Sequence, residues 1–77
     1  MKNPSSEFRR KIFAQRLALL VEKAGITHAA LAKEVGVSRV QITQYISASR
    51  QPSIDVFVAL AHYFDVSLDY LAGETKE

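Results

Sequence analysis

Five residues in the middle of the chain, Arg39, Val40, Gln41, Thr43 and Gln44, alternate with Ile42, Tyr45 and Ile46 so that the first set, polar but for Val40, falls on one side of a helix and the second, apolar set on the other. Arginine and glutamine end in planar, forked hydrogen-bonding groups that can grip the edge of a nucleic-acid base with two bonds at once. No carboxylate stands among these residues. A helix face that merely meets water mixes both signs of charge, whereas a face that approaches phosphates must avoid acids.

Such a face needs elements that hold it outward. Thr27 is a side-chain cap for a short helix whose apolar stripe is Leu31, Ala32 and Val35, and Gly36 interrupts that stripe where the chain needs a positive φ to turn. Ser38 then caps the helix that carries Arg39 to Ile46. Two helices this short become stable only by packing steeply across a tight turn, and Ala32 is the small residue at their closest approach. This is the pattern of a helix-turn-helix. An αα-hairpin inside an unrelated bundle has the same grammar, and the acid-free outer face distinguishes the two.

At 77 residues the chain is one domain, and nearly half of its residues are apolar. It has no cysteine, and its two histidines, His28 and His62, are far apart in sequence, so no disulfide scaffold and no zinc-type site is expected. No secretory or membrane-spanning segment is recognisable, and a cytoplasmic protein without cofactor, metal or small-molecule ligand is the expectation. Charge is polarised along the chain. Residues 1–26 carry six Lys/Arg against two Glu and residues 27–52 carry three against one, but residues 53–77 carry one against five Asp/Glu. A basic N-terminal two-thirds attracts polyanions; the competing reading of the polarity is chance clustering of charge in a small chain.

The remaining elements follow in order. Residues 1–5 read as a loose arm and Ser5 or Ser6 as the cap of a long first helix, Glu7 to Ala24, with Phe8, Ile12, Phe13, Leu17, Leu20, Val21 and Ala24 on its packing stripe and Gly25 as its stop. Arg9, Arg10, Lys11 and Arg16 on that helix read as solvating residues, one or two of which can reach phosphate. Ala48 to Pro52 is a loop. Ser53 caps a fourth helix with Ile54 at its entry and Phe57, Leu60, Ala61 and Phe64 on its stripe, and Asp55 suits the positive end of its dipole. Ser67 caps a last turn holding Leu68 and Leu71 that stops at Gly73, and residues 74–77 form a polar, frayed tail. The expectation is an all-α domain of five helices over residues 6–73, with the helix-turn-helix at helices 2 and 3.

Taken together, LAKEVGVSRVQI, the loop ending RQPS and the closing FDVSLDYL resemble the lambda-repressor-like (Cro/repressor, or XRE) helix-turn-helix proteins over about residues 12–73. The resemblance implies a sequence-specific regulator that binds double-stranded operator DNA, usually as a homodimer on a palindrome, with the third helix in the major groove. It implies base reading by Arg39, Val40 and Gln44 with Gln41 as a neighbour: arginine suits guanine, glutamine adenine, and valine a thymine methyl. It places phosphate contacts on Thr27, His28, Ser38, Thr43, Ser47, Ser49, Arg50 and Gln51; the first two stand at a helix N-terminus, whose free N–H groups suit an anion. His28 reads equally well as an exposed first-turn residue.

Two departures from the family stand out. An arginine late in helix 1 commonly pairs with a glutamate near the end of helix 3, but here those positions hold Val21 and Ile46, so an apolar contact is expected. Where an asparagine and a glycine commonly follow helix 3 there are Ser47 and Ala48, and the backbone is expected to turn differently. Tyr63, Val66 and Tyr70 add apolar surface to the acidic third and are the expected dimer face, unless they simply complete the core. The competing function is a protein-interaction module on the same fold, antitoxin-like or anti-repressor. Catalysis has little support, because no nucleophile elbow, phosphate loop or metal spacing accompanies the Ser, His and Asp residues.

Overall fold

The computed structural model describes the backbone of residues 5–75 and the side chains from Phe8 onward. Five helices follow in order: α1 (Ser5–Ala24), α2 (His28–Val35), α3 (Arg39–Ile46), α4 (Ile54–Phe64) and α5 (Leu68–Ala72). Helix α1 begins two residues earlier than the periodicity implied, so Ser5 is helical and not part of an arm. The arm at residues 1–4, the capping by Ser5 or Ser6 and the end of the tail at residues 76–77 lie outside what is described.

Starts of helices follow the capping residues closely. Thr27, Ser38, Ser53 and Ser67 are extended, and each accepts a hydrogen bond through its side-chain oxygen from the amide three residues on. Helix ends share a device as well. At the ends of α2, α3, α4 and α5 a left-handed residue, respectively Gly36, Ala48, Asp65 and Gly73, lets the next amide reach back to the carbonyl five residues before it.

Phe13, Leu17 and Val21 of α1 meet Leu31 and Ala32 of α2, Ile42 and Tyr45 of α3, Leu60 and Ala61 of α4 and Leu71 of α5 in one buried cluster. Leu17, Leu31, Ile42, Leu60 and Leu71 are fully buried, each stabilising the fold by about 1.5–3 kcal/mol relative to exposure. Phe13 ties three helices together, its ring edge-on to Tyr45 at 6.3 Å and tilted against Phe57 at 5.8 Å. Val21 and Ile46 belong to this core, Ile46 as a partly buried residue packed against it. An arginine and a glutamate here would both have to be desolvated.

The expected stripes hold in their middles and fail at their ends. Phe8 is 58% exposed and Ala24 is exposed. The core begins at Phe13, and five residues of helix put Phe8 about 7 Å further along the axis, where no helix is left to cover it. Ile54, at the entry of α4, is 75% exposed: Val56 and Phe57 of the same turn face the core, and Ile54 points away from them. Ala14, which no stripe predicted, is buried.

Arg9 and Arg16 do not simply solvate α1. Arg16 donates through Nη1 to the Tyr70 carbonyl oxygen and lies over the Tyr70 ring, 4.5 Å from its centroid. Arg9 donates to the Ala72 carbonyl and pairs with the Glu74 carboxylate. The two guanidinium groups thus satisfy carbonyls at the C-terminal end of α5, where cations oppose the helix dipole. The Glu74 amide also donates to the Asp69 carbonyl at 2.8 Å.

Candidate nucleic-acid interface

Helix α3 is held to α2 at both polar and apolar levels. Leu31 and Ala32 face Ile42 and Tyr45 in the core, and above them His28 Nδ1 and Thr43 Oγ1 are 3.0 Å apart. The Thr43 hydroxyl donates to the Arg39 carbonyl at 3.2 Å, so the contact with His28 is one in which Nδ1–H donates. Two of the residues expected at the phosphates, His28 and Thr43, are therefore brought together, and they join the N-terminus of α2 to the first turns of α3.

The start of α3 is closed by a reciprocal pair. Gln41 N–H donates to Ser38 Oγ at 3.1 Å and Ser38 N–H donates to Gln41 Oε1 at 3.0 Å. Gln41 Oε1 is thus engaged at the helix start, and its second lone pair and amide N–H groups are what remain for other partners. Arg39 and Val40 stand exposed beside it, Val40 at 55%, and among the described residues the Arg39 side chain has no polar partner.

The end of α3 is more constrained than its residues suggested. Ala48 adopts φ 66°, with its amide bonded to the Tyr45 carbonyl at 3.2 Å and the Ser49 amide to the Gln44 carbonyl at 3.0 Å. An alanine thus takes the left-handed geometry that usually calls for glycine. The hydrogen bonds around Ala48 hold this left-handed turn without a glycine. Ser47 and Ser49 hydroxyls lie 2.9 Å apart, and each is placed to donate to the Gln44 carbonyl, at 3.1 and 3.3 Å. Their protons are used within the loop, so in this arrangement they have none to offer a phosphate.

Arg50, expected at the phosphates, donates through Nε–H to Gln44 Oε1 at 3.0 Å, which joins a residue expected to hold the backbone to one expected to read a base. It also lies near Tyr45, whose phenol is pushed above its ordinary value by burial, with the Arg50 charge partly opposing that rise. Gln51 and Thr27 are exposed beside the same face. Nothing local in the sequence points to the Arg50–Gln44 bond, because glutamine and arginine six residues apart belong to different elements.

Of the three residues expected at a dimer face, Val66 packs against the core and Tyr70 is partly buried beneath Arg16. Tyr63 is 42% exposed, edge-on to Phe64 at 4.9 Å. Among the described residues no group of His, Cys, Asp or Glu is arranged to hold a metal ion, and no helix is long and apolar enough to cross a membrane.

Comparison with known proteins agrees with this architecture. A family model described as helix-turn-helix matches residues 17–71. The HTH-type transcriptional regulators YobD and YqaE of Bacillus subtilis are 33% identical over 66 residues and 31% identical over 67 residues. Each alignment covers 86% of this chain, and the chain spans 59% and 58% of the lengths of these relatives. Among solved structures, the P22 c2 repressor protein in complex with a synthetic operator superposes with a TM-score of 0.79 at 33% identity, covering 83% of this chain and 97% of that one. A helix-turn-helix transcriptional regulator from Vibrio cholerae superposes with a TM-score of 0.77 at 20% identity, covering 90% of this chain and 39% of its own, and supports the fold alone. With five helices, a capped α2–α3 turn and this match over most of its length, the chain belongs to the helix-turn-helix family of the lambda-repressor-like type.

Proposed function

We propose that this chain binds double-stranded DNA in a sequence-dependent manner as a transcriptional regulator, with α3 in the major groove, and that it represses by occupying its operator. The observation that carries the reading is the outer face of α3, where Arg39 and Val40 stand exposed on a helix whose start is locked by the Ser38–Gln41 pair and which carries no acid. The P22 c2 repressor, similar in fold and sequence, is described in complex with operator DNA. Thr27 and His28, at the N-terminus of α2, and Arg50, beyond α3, flank that face and supply the phosphate contacts.

A homodimer on two inverted half-sites completes the proposal. Its face is the acidic third, where Ile54, Tyr63 and Leu68 leave 75%, 42% and 45% of their surface exposed. A two-fold pair would set its α3 helices about 34 Å apart, one turn of duplex. Selection of bound duplexes from a random pool tests both parts. The expected result is a consensus of inverted half-sites, with Arg39→Ala relaxing preference at one base position in each. Failure to enrich any sequence at low salt overturns DNA reading in favour of a protein-interaction module, and sedimentation as a monomer with and without duplex overturns the dimer.

A further inference from the structure

Gln44 can read a base in two ways, depending on which end of its amide faces outward. The nitrogen end donates and suits the N7 of a purine; the oxygen end accepts and suits the N4–H group of cytosine. A free glutamine amide rotates between these presentations. Here it is not free, because Arg50 Nε–H lies 3.0 Å from Gln44 Oε1. A guanidinium has donors and no acceptor, so the amide atom that meets it must be the oxygen. The amide nitrogen is then the end left for other partners.

The loop supports this contact from the other side. The Gln44 carbonyl receives the Ser49 amide at 3.0 Å, and the Ser47 and Ser49 hydroxyls, 2.9 Å from each other, lie 3.1 and 3.3 Å from the same oxygen, which ties the chain between Gln44 and Arg50. The left-handed Ala48 lies in the middle of that turn. Side chains six residues apart are thus brought face to face by a backbone geometry that a simple helix continuation would not provide. The Nε–H group is used on Gln44, and the terminal amines of the same guanidinium remain able to meet a phosphate.

We propose that Arg50 is a specificity-positioning residue, which orients the Gln44 amide with its nitrogen outward so that α3 favours a purine over cytosine at the base Gln44 faces. The inference rests on the reading of α3 as the DNA-contacting helix. Adenine is the best fit, since the second lone pair of Oε1 can still accept its N6–H group while Nε2 donates to N7. Arg50 also couples base choice to backbone grip, because one guanidinium serves Gln44 and a phosphate.

The test is a set of titrations of the full chain, Arg50→Ala, Gln44→Ala and the double variant, over single-base variants of a duplex selected by the wild-type protein, at several salt concentrations. Arg50→Ala is expected to reduce the purine-over-cytosine ratio at one position by about five-fold or more, within the range that a good two-bond contact supplies. Preference at the Arg39 position should stay unchanged, and the salt slope should fall by about one unit. In the Gln44→Ala background, Arg50→Ala should lower affinity for all variants alike. A uniform loss in the wild-type background as well overturns the positioning role while leaving DNA binding intact. If the wild type enriches no duplex, the DNA reading has failed, and the contact itself is judged without DNA: the Gln44 side-chain amide resonances should shift and average in Arg50→Ala, and an unchanged spectrum overturns it. Circular dichroism of each variant confirms that it is folded.

Discussion

Gly25 and Gly73 offer a matched pair of perturbations, because both are left-handed, at φ 67° and 83°, and differ in what surrounds them. A Cβ added at Gly25 meets nothing within 4 Å, whereas one at Gly73 falls 2.8 Å from Ile12 Cγ2 and 3.2 Å from Ile12 Cβ. Gly25→Ala therefore reports the conformational penalty alone, about 1–2 kcal/mol for a left-handed L-residue, offset by about 0.4–1 kcal/mol from the stiffer unfolded chain. Gly73→Ala carries that penalty and a clash as well, since carbon atoms in comfortable contact lie about 3.5–4.0 Å apart. Ile12 cannot readily rotate away, because a β-branched side chain in a helix has one strongly preferred rotamer. Relief must come from shifting α5 against α1, which overpacking data place at about 1–3 kcal/mol.

Gly73→Ala should accordingly destabilise by about 2–4 kcal/mol, a large part of the roughly 4–12 kcal/mol expected for a domain of this length. Urea unfolding followed by far-UV circular dichroism measures both variants. Ile12→Ala combined with Gly73→Ala should recover at least 1 kcal/mol relative to additivity, while the same change combined with Gly25→Ala should be additive. Equal costs at the two glycines, or additivity of Ile12→Ala with Gly73→Ala, would refute the reasoning that the end of α5 presses on α1.

Three further outcomes follow from packing and capping. Val21, 8% exposed in the core, should not tolerate Val21→Arg, which leaves a buried charge uncompensated at about 3–5 kcal/mol; Ile46→Glu added to it should restore part of the loss, and additive losses by denaturant titration would count against contact between the two positions. Ala48→Gly should stabilise by about 0.5–1 kcal/mol, because relief of the left-handed strain exceeds the entropy of glycine, and a lower melting temperature would contradict this. Arg16→Ala removes a cation over the Tyr70 ring and a donor to the Tyr70 carbonyl, and should cost about 1–2 kcal/mol in the same unfolding assay.

What was legible in the sequence was local. Thr27, Ser38, Ser53 and Ser67 each cap a helix through a bond spanning three residues, so type and spacing alone place them. The central parts of the apolar stripes were legible because a helix repeats its own face. Exposure of Phe8 was not, since the period that marks a stripe does not say where the neighbouring helix stops. Arg9 and Arg16 gave no sign of their partners, which lie 63 and 54 residues away in sequence. At the candidate interface, the composition of α3 showed what could read a base, but the engagement of Gln41 with Ser38 and of Gln44 with Arg50 decides which atoms remain to do so. Alanine has no left-handed preference to betray Ala48; the hydrogen bonds of the loop place it there.

The junction of α1 with α5 links the breathing of the domain to its electric field. Helix α5 has five residues and buries one large side chain, Leu71, so it cannot persist once it leaves α1. Its amides should be among the first to exchange with solvent through local opening. Each opening releases Arg9 from Glu74 and Arg16 from Tyr70, and two guanidinium groups that were held by partners, Arg9 at the surface and Arg16 half-buried, become mobile surface cations on the basic part of the chain. Added salt weakens the Arg9–Glu74 attraction and shifts the balance toward the open form, while screening the very charge that opening exposes. The apparent positive potential of this domain is therefore a population-weighted quantity, set by how often its last helix is docked.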